Sequence, residues 1–337
     1  MVSKTYRTGA NVASTGAHNR KIVLSAIREK RSVFRYEIAQ STGLTPPAIY
    51  KITQQLLAEG FIVCSTVRDG TRGQPAQSIQ INPDAAFSIG LNIDSDQVTL
   101  LAVDYEGQAR FHRSRTVDPA APDTVNNFIK SSISELDSLD LFPRSVLAGI
   151  GVALPDPINK VCTTDTPANY KESAIREAID EIKNQFNVPV YCENNTAAAV
   201  TGELALGHGV SIDSYFYLYL GARLGAGVII NSNYIRGAHG RSGEIHLLPQ
   251  VNPLKTSDRN CNRDLGEAAS LRVLIDRLNA SSSYEITLQS LKYHVDSSEI
   301  IKQWVEDLAD LLCLPLLTVI AVIDPALIVL GRVDEFR

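Results

Sequence analysis

The chain has 337 residues, 44% of them hydrophobic, and a formal net charge of -5. That is enough apolar material for two or three packed units, and it excludes a disordered or fibrous chain. Charge is unevenly spread: residues 1–80 carry eleven Lys and Arg against four Asp and Glu, and the remainder carries twenty-one against thirty-three. A basic head on an acidic body is the pattern of a nucleic-acid-binding module joined to a second function. Cys64, Cys162, Cys192, Cys261 and Cys313 are odd in number and widely spaced, which points to a reducing, cytoplasmic setting. The start, MVSKTYRTGANVAS, has no apolar signal-peptide core. The run Leu311 to Ile323 is shorter than the ~20 residues of a membrane span, so it is expected to be buried core and no membrane partner is expected.

In RKIVLSAIREK, residues 20–30, Ile22, Val23 and Ile27 share one helical face, and IAQSTGL follows with Ile38, Ala39 and Leu44. Gly43 supplies a tight turn, and the next helix opens on Thr45-Pro46-Pro47, where a first turn tolerates proline. Its core stripe is Ile49, Ile52, Leu56 and Leu57. That leaves Thr45, Pro46, Ala48, Tyr50, Lys51 and Gln54 outside the stripe, with the small and cationic character of a recognition helix that enters a major groove. Phe61-Ile62-Val63 and Ser78-Ile79-Gln80-Ile81 read as two strands around a polar tip, a wing whose Arg72 and Gln74 are further candidates for DNA contact. Residues 1–82 are therefore read as a winged helix-turn-helix domain.

From Phe87 onward, SIGLNID and VTLLAVDYEGQA read as two strands joined by a turn, then a helix near Thr124 to Ser138 and the strand VLAGIGVAL. YFYLYLGARLGAGVII repeats the strand, glycine turn, strand order. The expected body, residues 83–337, is α/β and two-lobed, with lobes near 83–205 and 206–337 and a ligand cleft between them.

Eight segments in order carry a specific resemblance: NRKIVLSAI, RGQPAQSIQINPDAAFSIGLNID, GIGVALPDP, TPANY, VPVYCENNTAAAVTGE, LGARLGAG, RGAHGRSGEIH and VIDPALIVLG. The chain resembles the ROK family (repressor, open reading frame, kinase), in particular its repressor branch. The resemblance implies a winged helix-turn-helix on an actin-like, sugar-kinase-type body of ribonuclease H-like fold, assembled as a dimer or tetramer. In such repressors the cleft binds a sugar or sugar phosphate that alters DNA affinity.

The same resemblance implies three departures from the family's kinases. Their Glu-Asn-Asp motif, whose Asp is the base, reads Glu193-Asn194-Asn195 here. An amide accepts no proton, and general-base catalysis is typically worth about 10²- to 10⁴-fold; Glu193 is the only substitute base at hand in the motif. The first phosphate loop, Asp-x-Gly-Gly-Thr in kinases, reads Asp94-Ser95-Asp96-Gln97-Val98, and Asp96 would repel phosphate by ~4 kcal/mol at about 4 Å and an effective dielectric near 20. In the second, the hydroxyl residue is Ala222 and a glycine is Arg223. The expectation is no enzyme activity and no cofactor; the alternative is an ATP-dependent sugar kinase with an accessory DNA-binding head. The family's structural zinc is held by a His after Gly-Glu-x-Gly and a cysteine cluster. Here His246 sits one position early and Cys261 is the lone cysteine of NCNRDLGEAAS, about two candidates where four ligands are needed, so no metal is expected.

By family position, Asn169, Asn194, Asn195, Glu244 and His246 are the candidate effector-binding residues, with Glu267 nearby in uncertain register. Asn194 and Asn195 are equally candidates for capping the helix that follows. Bodies of this kind continue well past ALIVLG, so Leu327 and Val329 are expected to lack part of their usual cover. The function that follows is a DNA-binding transcriptional regulator, a repressor of carbohydrate uptake or catabolism genes, on a palindromic operator.

Overall fold

The computed structural model describes residues 12–67, 76–94, 97–116, 122–154, 170–221, 223–248, 265–287, 290–293 and 299–331. The chain divides into two compact units: Met1–Ile89 with Leu101–Phe111 and Leu136–Gly149, and Gly90–Leu100 with His112–Glu135 and Ile150–Arg337.

In the first unit, α1 (Val12–Lys30) is followed by β1 (Val33–Phe34), α2 (Arg35–Thr42), α3 (Pro46–Ala58), β2 (Ile62–Val67) and β3 (Ala76–Ile81). α1 starts ahead of the Arg20 boundary that its apolar pattern indicates. The three strands form one sheet in the order β1-β3-β2, with Val33 opposite Ile79 and Ile62 opposite Ile81. β1 has only two residues, too few for any periodicity to announce it. Val23, Ile27, Val33, Ile38, Ile49, Leu56, Ile62 and Ile79 are buried together, with Ile52, Leu57 and Phe61 half-buried against them. Each such side chain contributes roughly 1.5–3 kcal/mol of burial, so this head has a core of its own. Tyr105 joins the same cluster: its ring packs 5.1 Å from Phe61, and its carbonyl accepts from Arg28 Nη2 at 2.8 Å.

β4 (Phe87–Ile93), β5 (Gln97–Asp104), β6 (Ala109–Thr116), α4 (Pro122–Ser138), β7 (Leu147–Leu154), α5 (Tyr170–Phe186) and β8 (Val190–Asn194) come next. The five strands run in the order β6-β5-β4-β7-β8, with β7 and β8 parallel. After α6 (Asn195–Leu206), β9 (Tyr215–Leu220), β10 (Leu224–Ile230) and β11 (Asn233–Ile235) give way to α7 (Leu265–Ala268), α8 (Leu271–Asn279), α9 (Glu299–Ile323) and β12 (Leu327–Gly331). This sheet has the order β11-β10-β9-β12, with β12 parallel to β9. Strand alternation splits β9 between two cores: Phe216 and Leu218 pack with α8 and α9, and Tyr215, Tyr217 and Tyr219 pack with Val200 of α6.

Two expectations are corrected. The run Leu311 to Ile323 is the second half of α9, and only one face is core: Leu311, Leu312, Pro315 and Val319 are buried, whereas Leu314, Leu317, Ile320 and Val322 are exposed. A helix packed on one side hides only that side, whatever its overall hydropathy. Val329 is buried among the β9 tyrosines and Leu327 is half-buried, so the open apolar position on β12 is Leu330, 65% exposed.

Candidate functional site

α2 ends where Gly43 takes φ 67, a left-handed conformation that costs glycine nothing, and its N–H donates to the Ala39 carbonyl at 3.0 Å. Thr45 is the extended residue before α3, with Pro46 and Pro47 in the first turn. Thr45, Pro46, Tyr50, Lys51 and Gln54 are exposed, and Ala48 is half-buried, so the face expected to meet DNA is turned to solvent. Arg72 and Gln74 lie outside the described residues.

Two residues beside this surface escape a reading of sequence alone. Thr53, on the core side of α3, is fully buried and accepts from Arg35 Nε at 3.0 Å. The Arg35 guanidinium also lies over the Tyr50 ring, 5.7 Å from its centroid. Arg20 and Arg28 are used differently. Arg20 pairs with Glu59, a hydrogen bond that raises the pKa of the guanidinium and lowers that of the carboxyl, and Arg28 is bound to Tyr105.

In the second unit, the two neighbouring asparagines have different partners. Asn194 caps α6, its Oδ1 accepting from the Ala197 N–H at 2.6 Å. Asn195 is 8% exposed; its Nδ2 reaches the Ile93 carbonyl at 3.5 Å, and its Oδ1 has no hydrogen-bond partner. A buried amide oxygen left unpaired costs roughly 1–3 kcal/mol, which a ligand hydroxyl donated to it would recover.

Glu193 does not offer a free carboxylate. Arg236 engages both its oxygens, one at 3.0 Å, and lies 5.2 Å from the Tyr234 ring centroid. The hydrogen bond to Glu193 is the main reason the Arg236 pKa is raised. The fork-shaped pairing ties the end of β8 to the chain leaving β11.

β10 is the common platform. A Cβ on Gly225 would stand 2.1 Å from Thr196 Oγ1, so α6 approaches β10 more closely than a side chain permits. Gly243, at φ +87, brings the 236–246 loop so near that a Cβ would sit 2.8 Å from the Ala226 carbonyl oxygen. Three of the candidate effector residues are thus gathered on elements that meet at β10: Asn195 on α6, and Glu244 and His246 on the loop. Glu244 is half-buried, its carboxylate without a hydrogen bond or ion pair among the described residues. His246 is half-buried, and its Nδ1 is likewise unpartnered. Asn169, Asp96, Ala222 and Cys261 lie outside the described residues; Glu267 belongs to α7. No helix among the described residues is long and apolar enough to cross a membrane.

The two sheets, with α6 between β8 and β9, are the mixed α/β architecture of sugar-kinase-like proteins. The chain belongs to the ROK family, whose profile matches residues 88–333. Among its relatives is the xylose repressor of Bacillus subtilis, 26% identical over 252 residues that cover 72% of this chain and 64% of the relative. The chain spans 58% to 64% of the length of the first curated relatives it matches. Among solved structures, a ROK family transcriptional regulator homologous to the E. coli MLC protein superimposes with a TM-score of 0.63 at 19% identity, covering 93% of this chain and 83% of that one. A ROK family glucokinase from Streptomyces griseus, in complex with glucose and AMPPNP, gives 0.56 at 20% identity, covering 73% and 83%. At these identities the two structures speak for the fold.

Proposed function

We propose that this protein is a DNA-binding transcriptional regulator, a repressor of carbohydrate uptake or catabolism genes, whose body binds a sugar or sugar phosphate and transfers no phosphate. Residues 1–82 are the reader and residues 83–337 the ligand-binding and assembly body; the protein acts as a dimer or tetramer on a palindromic operator. The observation that carries the reading is the exposed face of α3, Thr45 to Gln54, presented beside the Gly43 turn on a basic head. Relatives named xylose repressors support the assignment and make D-xylose the first ligand to try.

The absence of phosphoryl transfer rests on chemistry at the motif. Asn195 is an amide where the kinases carry an acid, and Glu193 is engaged by Arg236. Asn195, Glu244 and His246 remain as groups able to accept from and donate to sugar hydroxyls. Ligand binding shifts DNA affinity only by its differential preference for two states of the body. The test is operator binding by the wild type and Lys51→Ala. Weaker binding with a shallower salt dependence supports the reader assignment, and unchanged binding defeats it. Transfer of phosphate from ATP to a hexose, abolished by changing Asn195, would establish the kinase alternative instead.

A further inference from the structure

We propose that Arg35 is a preset binding site for a DNA backbone phosphate, and that Thr53 is the residue that positions it. This rests on the reading of the head as a DNA reader and adds to it two residues outside the recognition face.

Arg35 is the first residue of α2 and is held in two ways: Nε donates to Thr53 Oγ1 at 3.0 Å, and the guanidinium carbon lies over the Tyr50 ring, 5.7 Å from its centroid. Thr53 Oγ1 in turn donates to the Tyr50 carbonyl at 3.1 Å, which fixes the hydroxyl that receives Arg35. Buried polar groups are ordinarily kept only where they are bonded, and Thr53 is fully buried. With its proton on the Tyr50 carbonyl, the hydroxyl keeps its oxygen as an acceptor for Arg35.

The two terminal nitrogens of Arg35 have no hydrogen bond, and Arg35 has no carboxylate partner among the described residues. Glu37, the acidic group nearest in sequence, uses Oε2 to accept from the Phe34 N–H at 2.8 Å. Arg20 and Arg28 are engaged within the protein, so Arg35 is oriented without being neutralised.

A planar cation whose two terminal nitrogens are free, placed over an aromatic ring, matches the bidentate geometry of phosphate. Its place matches as well. In a helix-turn-helix the first helix of the pair crosses the backbone while the second enters the major groove. Arg35 opens that first helix and touches the exposed Tyr50 of the second. Ordering the side chain before contact removes part of the entropy cost of binding.

A phosphate contact carries no sequence information, so the test needs no known operator. Binding of wild type, Arg35→Gln, Arg35→Lys and Thr53→Val to a short duplex of arbitrary sequence is measured across a salt series, with Lys51→Ala as reference and circular dichroism to check folding. Arg35→Gln is expected to lose about tenfold in affinity and to flatten the slope of log K against log salt by about 0.9, the loss of one phosphate contact. Arg35→Lys and Thr53→Val keep the charge, so they are expected to lose affinity at an unchanged slope. If Arg35→Gln does not fold, these two decide: lost affinity at constant slope supports the site, and wild-type affinity in both overturns it. Wild-type slope and affinity in folded Arg35→Gln, while Lys51→Ala is weakened, overturns this inference alone. No binding by the wild type at low salt overturns the reader assignment with it.

Discussion

Replacing Asn194 and Asn195 one at a time by alanine should give opposite signatures, although the two are neighbours with the same side chain. Asn194 Oδ1 caps α6 through a 2.6 Å bond to the Ala197 N–H. Loss of such a cap costs about 1 kcal/mol, within a range of roughly 0.5–2. For a folding unit of about 150–250 residues, that is a fall in Tm of about 2–4 °C. Asn195 makes one bond of 3.5 Å, at the limit of useful geometry, and buries an oxygen with no partner. Removing that oxygen relieves roughly 1–3 kcal/mol of desolvation, which offsets the packing lost with the amide. Asn195→Ala should therefore unfold within about 1 °C of the wild type by the same scale. The assay is thermal unfolding with and without a sugar panel that begins with D-xylose. A ligand at about 100 times its Kd adds about 2.7 kcal/mol, a shift of several degrees. Asn194→Ala should keep most of that shift and Asn195→Ala should lose it. If Asn195→Ala is the less stable of the two, or keeps the full ligand shift, the division of roles is wrong.

Gly225→Ala forces a Cβ to within 2.1 Å of Thr196 Oγ1, and rotation of Thr196 still leaves its Cβ in a tight 3.1 Å contact. The expected cost is about 1–3 kcal/mol in urea unfolding, and a wild-type midpoint would show that α6 is not held against β10 in this way. Arg28→Met removes the donor to the Tyr105 carbonyl and the cation near its ring. Basal DNA affinity should persist while its response to sugar weakens, and an intact response would exclude this contact as the route. Burial, with the charge of Glu203 a lesser cause, pushes the Tyr217 hydroxyl from 10.0 up to about 12. Because the unfolded chain ionises first, that contribution to stability is complete below pH 10 and is lost between pH 10 and about 12. Tyr217→Phe should make alkaline unfolding less steep in that window, and an unaltered profile would contradict it.

Elements with local signatures were legible in sequence. The stripe of Ile49 and Leu56, the turn at Gly43 and the β9–β10 hairpin were all visible because periodicity and backbone constraint act over a few residues. What sequence conceals is pairing across distance. Arg236 and Glu193 are 43 residues apart, and nothing in either segment signals the other. Thr53 resembles any polar residue on a surface helix until Arg35, 18 residues away, is seen to occupy it. The asparagine pair was ambiguous because cap and ligand group share a side chain, and only the direction of each amide separates them. α9 shows the converse: its hydropathy suggested uniform burial, but one sheet covers one face.

If one chain both reads DNA through α3 and reports a sugar bound in its body, the two events must be coupled. Footprinting of the full chain on genomic DNA, repeated with D-xylose and the rest of the sugar panel, tests it most directly. The expected result is protection of a palindromic site beside sugar transport or catabolic genes, with protection altered by one sugar and unaffected by ATP. Protection that no sugar alters, or no protected site at all, would contradict it.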